Sequence, residues 1–234
     1  MNFSAVGSLP IRERSLSMQV EDTLAQMLWD GTLQPLDRTS IRDLAEQLGV
    51  STMPVREAVS RLVAQGALSI ERNRAIVVPQ LSIEDFRDLT DARLLIEGRA
   101  VRKATHNLTE DDLAELREMN DEFAKAMSTP SSRDPVKVNQ RFHFRIYKAA
   151  ASPTLARIIA MNWLRAGPMI NLDIGLPSRR IRNSHSLAAH IDLIAALEAR
   201  DEVAAERALQ RDIETAAASI IENALSDTSG QEET

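Results

Sequence analysis

The sequence feature that most constrains the fold is a very short connection between two amphipathic helices. One helix is predicted to start near Ser40 and to end at Gly49, and the next is predicted to start at Ser51 with Pro54 in its first turn. Glycine favours a helix end, serine caps a helix start, and proline is tolerated in a first turn. Because only Gly49-Val50 separates the two helices, the pattern indicates a helix-turn-helix unit.

The residues around this unit extend the pattern. A helix with one apolar face is predicted from about 15 to 30. After the unit, two short β-prone runs at 67–70 and 75–78 flank the polar turn 71–74, which predicts a hairpin. Three helices followed by a hairpin are typical of a winged helix-turn-helix.

The rest of the chain, after Pro79-Gln80, has only helical periodicity. The approximate helices are 82–106, 109–128, 133–151, 153–173, 177–199 and 201–225. We therefore predict a mainly α fold with a winged helix-turn-helix domain over 15–79 and an antiparallel all-helical bundle of six helices over 80–226. Residues 1–14 are expected to form a disordered leader and 227–234 a disordered tail.

Composition excludes several classes of protein. The chain has 234 residues, is 44% hydrophobic and contains no cysteine, so global disorder, disulfides and thiolate zinc sites are excluded. We expect a cytoplasmic protein with no membrane partner, since no apolar stretch approaches the roughly 20 residues that cross a bilayer. The net charge is −6, but residues 38–80 carry six arginines against four acidic residues. This basic region is a weak sign of nucleic-acid binding, and a chance fluctuation in surface charge explains it equally well.

The third helix supplies the residues expected to read DNA. In a helix-turn-helix, the first turn of the second helix of the pair meets base edges in the major groove. Arg56 lies one residue off the apolar face, so it should point outward and can bind a guanine with two hydrogen bonds. Ser51 and Thr52 can contact phosphates or bases. The alternatives are a surface charge cluster for Arg56 and a purely capping role for Ser51.

Three further arginines are candidates for DNA contact. Arg42, early in the preceding helix, is placed to reach the DNA backbone or groove, while Arg72 and Arg74 in the hairpin turn could enter the minor groove or touch phosphates. The alternative for Arg42 is an ion pair with Glu46 one helical turn later. The alternative for the two turn arginines is a solvated loop.

This part of the chain resembles a known family. The run LAEQLGVSTMPVREAV at residues 44–59 is similar to the winged-helix domain of GntR-family transcription regulators, and the similarity covers about residues 15–79. Three departures stand out. The family usually has Arg where this chain has Thr52, Gly where it has Ala75, and Pro-Gly where it has Pro35-Leu36. The resemblance thus implies an altered operator sequence and an unusual wing tip.

The helical part carries polar residues on its apolar stripes. They are Arg93, Asn139, His143, His190 and Asp212. Since buried charge is costly unless it is paired or bound to a metal, these residues predict one polar cavity inside the bundle. Two imidazoles, a carboxylate and an amide oxygen suit Zn²⁺, Ni²⁺ or Mn²⁺, and Arg93 could grip the carboxylate of an organic acid. The alternative is a metal-free hydrogen-bond network in which Arg93 pairs with Asp212.

Residues 82–220 resemble the FCD effector domain of the FadR subfamily of GntR regulators, in its shorter VanR-like form. The similarity lies in Arg93-x-x-x-Glu97, in Asn139-x-x-Phe142-His143 and in His190-x-x-x-Ile194. Metal-binding members of that subfamily have Asp or Asn at position 139 and His at positions 143, 190 and 212, so Asp212 is a departure. The resemblance implies a divalent metal site that either survives with an altered preference or has become a metal-free pocket.

These observations predict a ligand-responsive DNA-binding transcription regulator rather than an enzyme. The resemblance implies a repressor that binds a palindromic double-stranded DNA operator as a homodimer and is released by a small carboxylate effector. Two alternatives stay open. One is a metal-dependent hydrolase that uses Asn139, His143, His190 and Asp212 to activate water. The other is a helical scaffold protein with a degenerate winged helix.

Overall fold

The N-terminal part folds as three helices and a small sheet. The computed structural model describes residues 15–129, 134–175 and 184–229. The first elements are α1 (Leu16–Trp29), β1 (Arg38–Thr39), α2 (Ile41–Leu48), α3 (Thr52–Ala64), β2 (Ser69–Ile70) and β3 (Ile76–Val77). The strands form an antiparallel sheet in the order β1-β3-β2. The predicted hairpin is therefore β2–β3, and β1 was not predicted because two residues are too few to show a strand period.

The C-terminal part is all helical over its described residues. Its helices are α4 (Ile83–Thr105), α5 (Glu110–Ser128), α6 (Asp134–Ala149), α7 (Pro153–Gly175), α8 (Ser184–Glu198) and α9 (Glu202–Ser229). The predicted mainly α fold class is confirmed, and in the described part of the chain the winged helix-turn-helix is followed by six helices. None of the described helices combines the length and apolarity that crossing a bilayer requires.

Two predicted boundaries differ from the structure or lie outside it. The final helix continues to Ser229, three residues into the segment 227–234 that was predicted as a tail. Extending an existing helix by a few residues costs little, even for polar residues such as Asp227 and Thr228. The predicted leader 1–14, residues 230–234 and the predicted helix start at 177 lie outside the described residues.

Side-chain caps fix the starts of α4 and α5, two helices of the bundle. The Ser82 hydroxyl accepts from the Asp85 backbone N–H at 3.1 Å, and Thr109 with Asp112 forms a full capping box at the start of α5. Ser51 occupies the capping position of α3, but its hydroxyl accepts no hydrogen bond from the helix. The expectation that this hydroxyl caps α3 is therefore wrong, and the hydroxyl is free for another partner.

Two turns in the N-terminal part use left-handed backbone. Gly49 has φ of 66° at the end of α2, a conformation that glycine adopts without steric cost. Leu36 has φ of 70°, and its N–H donates to the carbonyl of Val78 at 2.9 Å. A leucine in this region clashes with its own backbone, so the turn between α1 and β1 is strained at a position that glycine would occupy without this clash.

The described residues form two hydrophobic cores that meet at α7. One core lies under the winged helix and includes Leu24, Val55 and Leu62, whereas the other fills the bundle. Leu164 of α7 belongs to the winged-helix core although its neighbours along the chain pack in the bundle. The amide of Asn171, also on α7, donates to the Leu28 carbonyl at 2.8 Å at the end of α1. Helix α7 therefore holds the two parts together.

Candidate DNA-binding surface and polar cavity

The third helix presents an exposed arginine at its start, as predicted from its sequence. Val55, Ala58, Val59 and Leu62 form its buried face, which leaves Arg56 exposed. Over residues 15–129, 134–175 and 184–229, the Arg56 guanidinium has no ion pair or hydrogen-bond partner, so the alternative of a surface charge cluster has no support here. An unpaired guanidinium at this position is available to a base edge or a phosphate.

The residues just before Arg56 are also exposed. Ser51 and Thr52 lie in solvent at the start of α3, and the Met53 side chain is 64% exposed. A large exposed methionine at this position can touch the methyl group of a thymine. Sequence reasoning missed Met53, although its place one residue before Pro54, off the apolar face, was a usable signal.

The other three arginine candidates are exposed as well. Arg42 does not pair with Glu46, and neither Arg72 nor Arg74 has an acidic partner in the described parts of the chain. In the wing, Arg74 itself takes the left-handed conformation, with φ of 66°, so Ala75 needs no unusual backbone. The left-handed residue of the wing turn is therefore Arg74, one residue before position 75, where Gly was expected.

A small polar cavity lies inside the bundle between α4, α6, α7, α8 and α9. Its volume is about 20 Å³, and its polar walls are Arg93, Asn139, His143, Ser186 and Asp212. His190 is fully buried beside it. The structure thus brings together all five polar residues picked out from the apolar stripes. A volume of this size holds one water molecule or ion and is too small for an organic acid.

Three side chains in this cavity form a compact cluster. His143 Nε2 lies 3.2 Å from Asp212 Oδ2 and 3.3 Å from His190 Nε2. His190 Nε2 lies 4.0 Å from Asp212 Oδ2. In a tetrahedral site with metal–ligand bonds of about 2.0–2.1 Å, donor atoms lie about 3.3 Å apart. Asp212 Oδ1 and His190 Nδ1 are buried without a partner in the described structure. The donor set therefore fits a divalent metal ion.

The protonation states in the cluster also suit metal binding. Burial, together with the smaller effect of nearby His143, lowers the pKa of His190 to about 3, against the opposing effect of the Asp212 charge. Burial alone would raise the pKa of Asp212, but the hydrogen bond from His143 and the nearby charge of Arg93 bring it below its usual value. At neutral pH, His190 is therefore a neutral imidazole and Asp212 a carboxylate, which are the forms that bind metals.

Arg93 is paired with Glu97 and not with Asp212, so the predicted alternative network is wrong in its central contact. Arg93 Nε donates to Glu97 Oε1 at 2.7 Å, and its guanidinium lies 5.2 Å from the centre of the Trp163 ring. The Tyr147 hydroxyl donates to Glu97 and lies 3.4 Å from His143 Nδ1. Since Glu97 takes Nε and one Nη, the second Nη of Arg93 has no acceptor among the described residues.

Sequence reasoning missed three members of this network as site residues. Glu97 is one helical turn after Arg93, and Tyr147 is one turn after His143, so the spacing was a signal for both. Trp163 had no such signal because helix packing alone brings it to Arg93. Burial and the adjacent Glu97 charge raise the pKa of Tyr147 well above its usual value, so the phenol stays protonated and donates.

Comparison with known proteins matches this architecture. The model of the gntR family of bacterial regulatory proteins matches residues 16–78, and that of the FCD domain matches residues 88–215, more than half of the chain. The chain belongs to the GntR family. As in other GntR regulators, its N-terminal part is a DNA-binding helix-turn-helix, here followed by an FCD domain.

Several curated relatives agree with this assignment. This GntR regulator is 35% identical to the HTH-type transcriptional regulator McbR of Escherichia coli over 83% of this chain and 88% of McbR. It is 30% identical to the Nta operon transcriptional regulator of Aminobacter aminovorans over 74% of this chain and 80% of that protein. It is 27% identical to the "Probable D-xylose utilization operon transcriptional repressor" of Paenarthrobacter nicotinovorans over 83% of this chain and 84% of that protein.

The fold has been seen in a relative. The solved structure of E. coli McbR/YncC matches 94% of this GntR regulator and 100% of that chain, with a TM-score of 0.77 and 31% identity. Families and relatives alike are transcriptional regulators. This chain is therefore a transcriptional regulator and not an enzyme, and the interpretation of its polar cluster as a hydrolase site is wrong.

Proposed function

We propose that this GntR regulator is a repressor that binds a palindromic DNA operator as a homodimer and leaves it when a small carboxylate binds in the helical part. The observation that carries the proposal is the exposed, unpaired Arg56 at the start of α3. A repressor is in keeping with the name of the D-xylose relative. Because a DNA regulator acts where the DNA is, we place the protein in the cytoplasm.

In this proposal each exposed residue of the winged helix has a distinct role. Arg56 reads a guanine, while Thr52 and the free Ser51 hydroxyl contact bases or phosphates at the start of α3. Arg42 contacts the backbone, and Arg72 and Arg74 of the wing touch phosphates or the minor groove. Their exposure and their lack of acidic partners among the described residues support these roles.

The proposed metal ligands are His143, His190 and Asp212, with Asn139 as a fourth ligand from the same cavity wall. Zn²⁺, Ni²⁺ and Mn²⁺ all suit this mixture of nitrogen and oxygen donors. When bound, the ion would offer a coordination position to the carboxylate of the effector. The free Nη of Arg93 would hold the other carboxylate oxygen, and Glu97 would keep the guanidinium oriented.

The small size of the cavity suggests how the effector acts. A carboxylate larger than one water molecule fits only if the helices around the 20 Å³ cavity move apart. Trp163, Ile170 and Ile174 of α7 line this cavity, while Leu164 of α7 packs in the winged-helix core. Effector binding would therefore favour a state in which α7, and the winged helix with it, has a different position. In that state the two winged helices no longer fit both half-sites.

The homodimer follows from the operator symmetry and has support on the surface of the bundle. A palindromic operator is matched by two copies related by a twofold axis, each reading one half-site. Leu95 on α4 is 74% exposed, so an apolar side chain on this helix is available to a second copy of the chain. We expect α4 to lie in the contact between the two copies.

The decisive experiment combines operator selection with mass measurement. Duplexes selected from a random pool by the purified protein are expected to contain an inverted repeat, and native mass spectrometry of the complex is expected to show two chains. Elemental analysis of the same sample is expected to find one divalent ion per chain. Enrichment of no sequence, or of a single unrepeated half-site bound by one chain, would contradict the proposal.

A further inference from the structure

The structure contains a second and much larger cavity, away from the polar one. It lies at the turn between α6 and α7 and has a volume of about 370 Å³. Its lining residues are Phe144, Tyr147, Lys148, Ala151, Ser152, Pro153, Ala156 and Ile159. Pockets for small molecules commonly measure about 300–1,000 Å³, so this cavity is large enough for a ligand without any movement. The polar cavity, at about 20 Å³, is too small to hold such a ligand without movement of the helices.

The walls of this α6–α7 pocket are mostly apolar and indicate a ligand whose main part is apolar. Phe144, Ile159 and Ala156 offer aromatic and aliphatic carbon, and the Tyr147 ring adds a second aromatic face. Tyr147 and Ile159 are both buried, so the pocket has a closed floor. A concave apolar pocket with a buried floor suits a compact apolar molecule better than the flat face of another protein.

The polar groups at the rim of the α6–α7 pocket indicate that the ligand carries a negative charge. Lys148 is exposed and makes no ion pair in the described parts of the chain. The Ser152 hydroxyl, which is half-buried, makes no hydrogen bond there either. A cation and a hydroxyl donor beside an apolar wall are complementary to a carboxylate on an apolar body.

The pocket shares one residue with the network around the polar cavity. The Tyr147 ring lines the α6–α7 pocket, whereas its hydroxyl donates to Glu97, the partner of Arg93. A molecule in the pocket would therefore contact the residue that supports the Arg93–Glu97 pair. The two cavities are separate in space but joined through a single side chain.

We propose that the α6–α7 pocket is a second small-molecule site, which takes an apolar carboxylate with its ring or chain against Phe144, Tyr147 and Ile159 and its carboxylate on Lys148 and Ser152. This site needs no metal ion and no rearrangement of the helices. It is distinct from the metal-dependent effector site proposed above, and a ligand can occupy it while that site is empty.

Isothermal titration of the full-length, chelator-treated protein tests the site with a matched pair of probes. The probes are 2-naphthoate, a rigid aromatic carboxylate, and 2-naphthamide, its neutral counterpart. We expect 2-naphthoate to bind once per chain and at least fivefold more tightly than the amide. Lys148→Gln should weaken 2-naphthoate binding at least fivefold and leave the amide unchanged. Chelator treatment removes the metal, so failure here is independent of the proposed metal site.

Two further variants complete the test. Ala156→Phe fills the pocket at an exposed helix position and is expected to abolish binding of both probes, while Lys125→Gln removes an exposed cation on α5 and should change neither. Equal affinity of the two probes, or undiminished binding by the Ala156→Phe variant, would overturn the proposal. Absence of probe binding together with an Ala156→Phe-dependent change in oligomeric mass would also overturn it, because the pocket would then be a contact between copies.

Discussion

Trp163 and Leu164 are consecutive residues of α7, yet their side chains enter two different hydrophobic cores. Trp163 packs in the bundle, 5.2 Å from the Arg93 guanidinium and 5.6 Å from the His143 ring, measured from its ring centre. Leu164 packs under the winged helix. A single helical turn therefore contacts both the candidate effector cavity and the DNA-binding part. A shift of α7 would change the packing of both.

The amide of Asn171 provides the first test of this connection. It donates to the Leu28 and Trp29 carbonyls at 2.8 and 3.2 Å, at the end of α1. Asn171→Ala removes these bonds and leaves the carbonyls without their donor, which should cost about 1–3 kcal/mol. By calorimetry we expect the winged helix to melt before the bundle in this variant. Asn107→Ala, which removes a similar but exposed bond to the Ala149 carbonyl, should keep a single transition.

The metal cluster leads to a second prediction. With Zn²⁺ at about 100 times its dissociation constant, the folded protein should gain about 2.7 kcal/mol, which thermal melting would report as a raised Tm. His143→Ala is expected to abolish this gain, and Asp212→His is expected to keep it because imidazole is also a ligand. His185→Ala, at an exposed histidine of α8, is the control. An undiminished rise in Tm for the His143→Ala variant would mean that the ion binds elsewhere.

The strained turn at Leu36 gives a third prediction. Its φ of 70° costs a non-glycine residue about 1–2 kcal/mol. Glycine avoids this cost, but its greater freedom in the unfolded chain cancels part of the stabilisation. Leu36→Gly should therefore stabilise the protein by about 0.5–1 kcal/mol in urea denaturation. Leu36→Ala keeps the Cβ atom and should bring no such gain. If both variants stabilise equally, removal of the exposed leucine side chain is the cause instead.

Met53 gives a fourth prediction, about operator sequence. Its exposed side chain at the start of α3 is expected to touch a thymine methyl group. Met53→Ala should lower affinity for the selected operator about five- to tenfold and should remove the preference for thymine over uracil at one position of each half-site. Fluorescence anisotropy with substituted duplexes measures both effects. Met161→Ala, at an exposed methionine of α7, should leave both unchanged.

Local rules explain why much of the fold could be predicted from the sequence. The starts of α4 and α5 follow from Ser82 and Thr109, whose side chains cap them. The buried polar residues were recognisable because Arg93 and His190 interrupt apolar stripes with helical spacing. These signals depend on residues within one or two helical turns of each other.

Long-range packing explains what could not be predicted. The pairing of β1 with β3, and the entry of Leu164 into the winged-helix core, depend on residues far apart in the chain. The same holds for the volume of the polar cavity, which is set by five helices at once. The alternative metal-free network paired Arg93 with Asp212 on another helix, whereas the structure pairs it with Glu97, one turn away on α4.

The central claim is that Arg56 reads DNA, and the most direct measurement is the affinity of the Arg56→Ala variant for the selected operator and for a scrambled duplex at one salt concentration. We expect operator affinity to fall about 10- to 100-fold while scrambled-duplex affinity changes little, because a base contact gives specificity and phosphate contacts do not. Arg87→Ala, at an exposed arginine of α4, should change neither. An unchanged ratio of the two affinities in the Arg56→Ala variant would contradict the account.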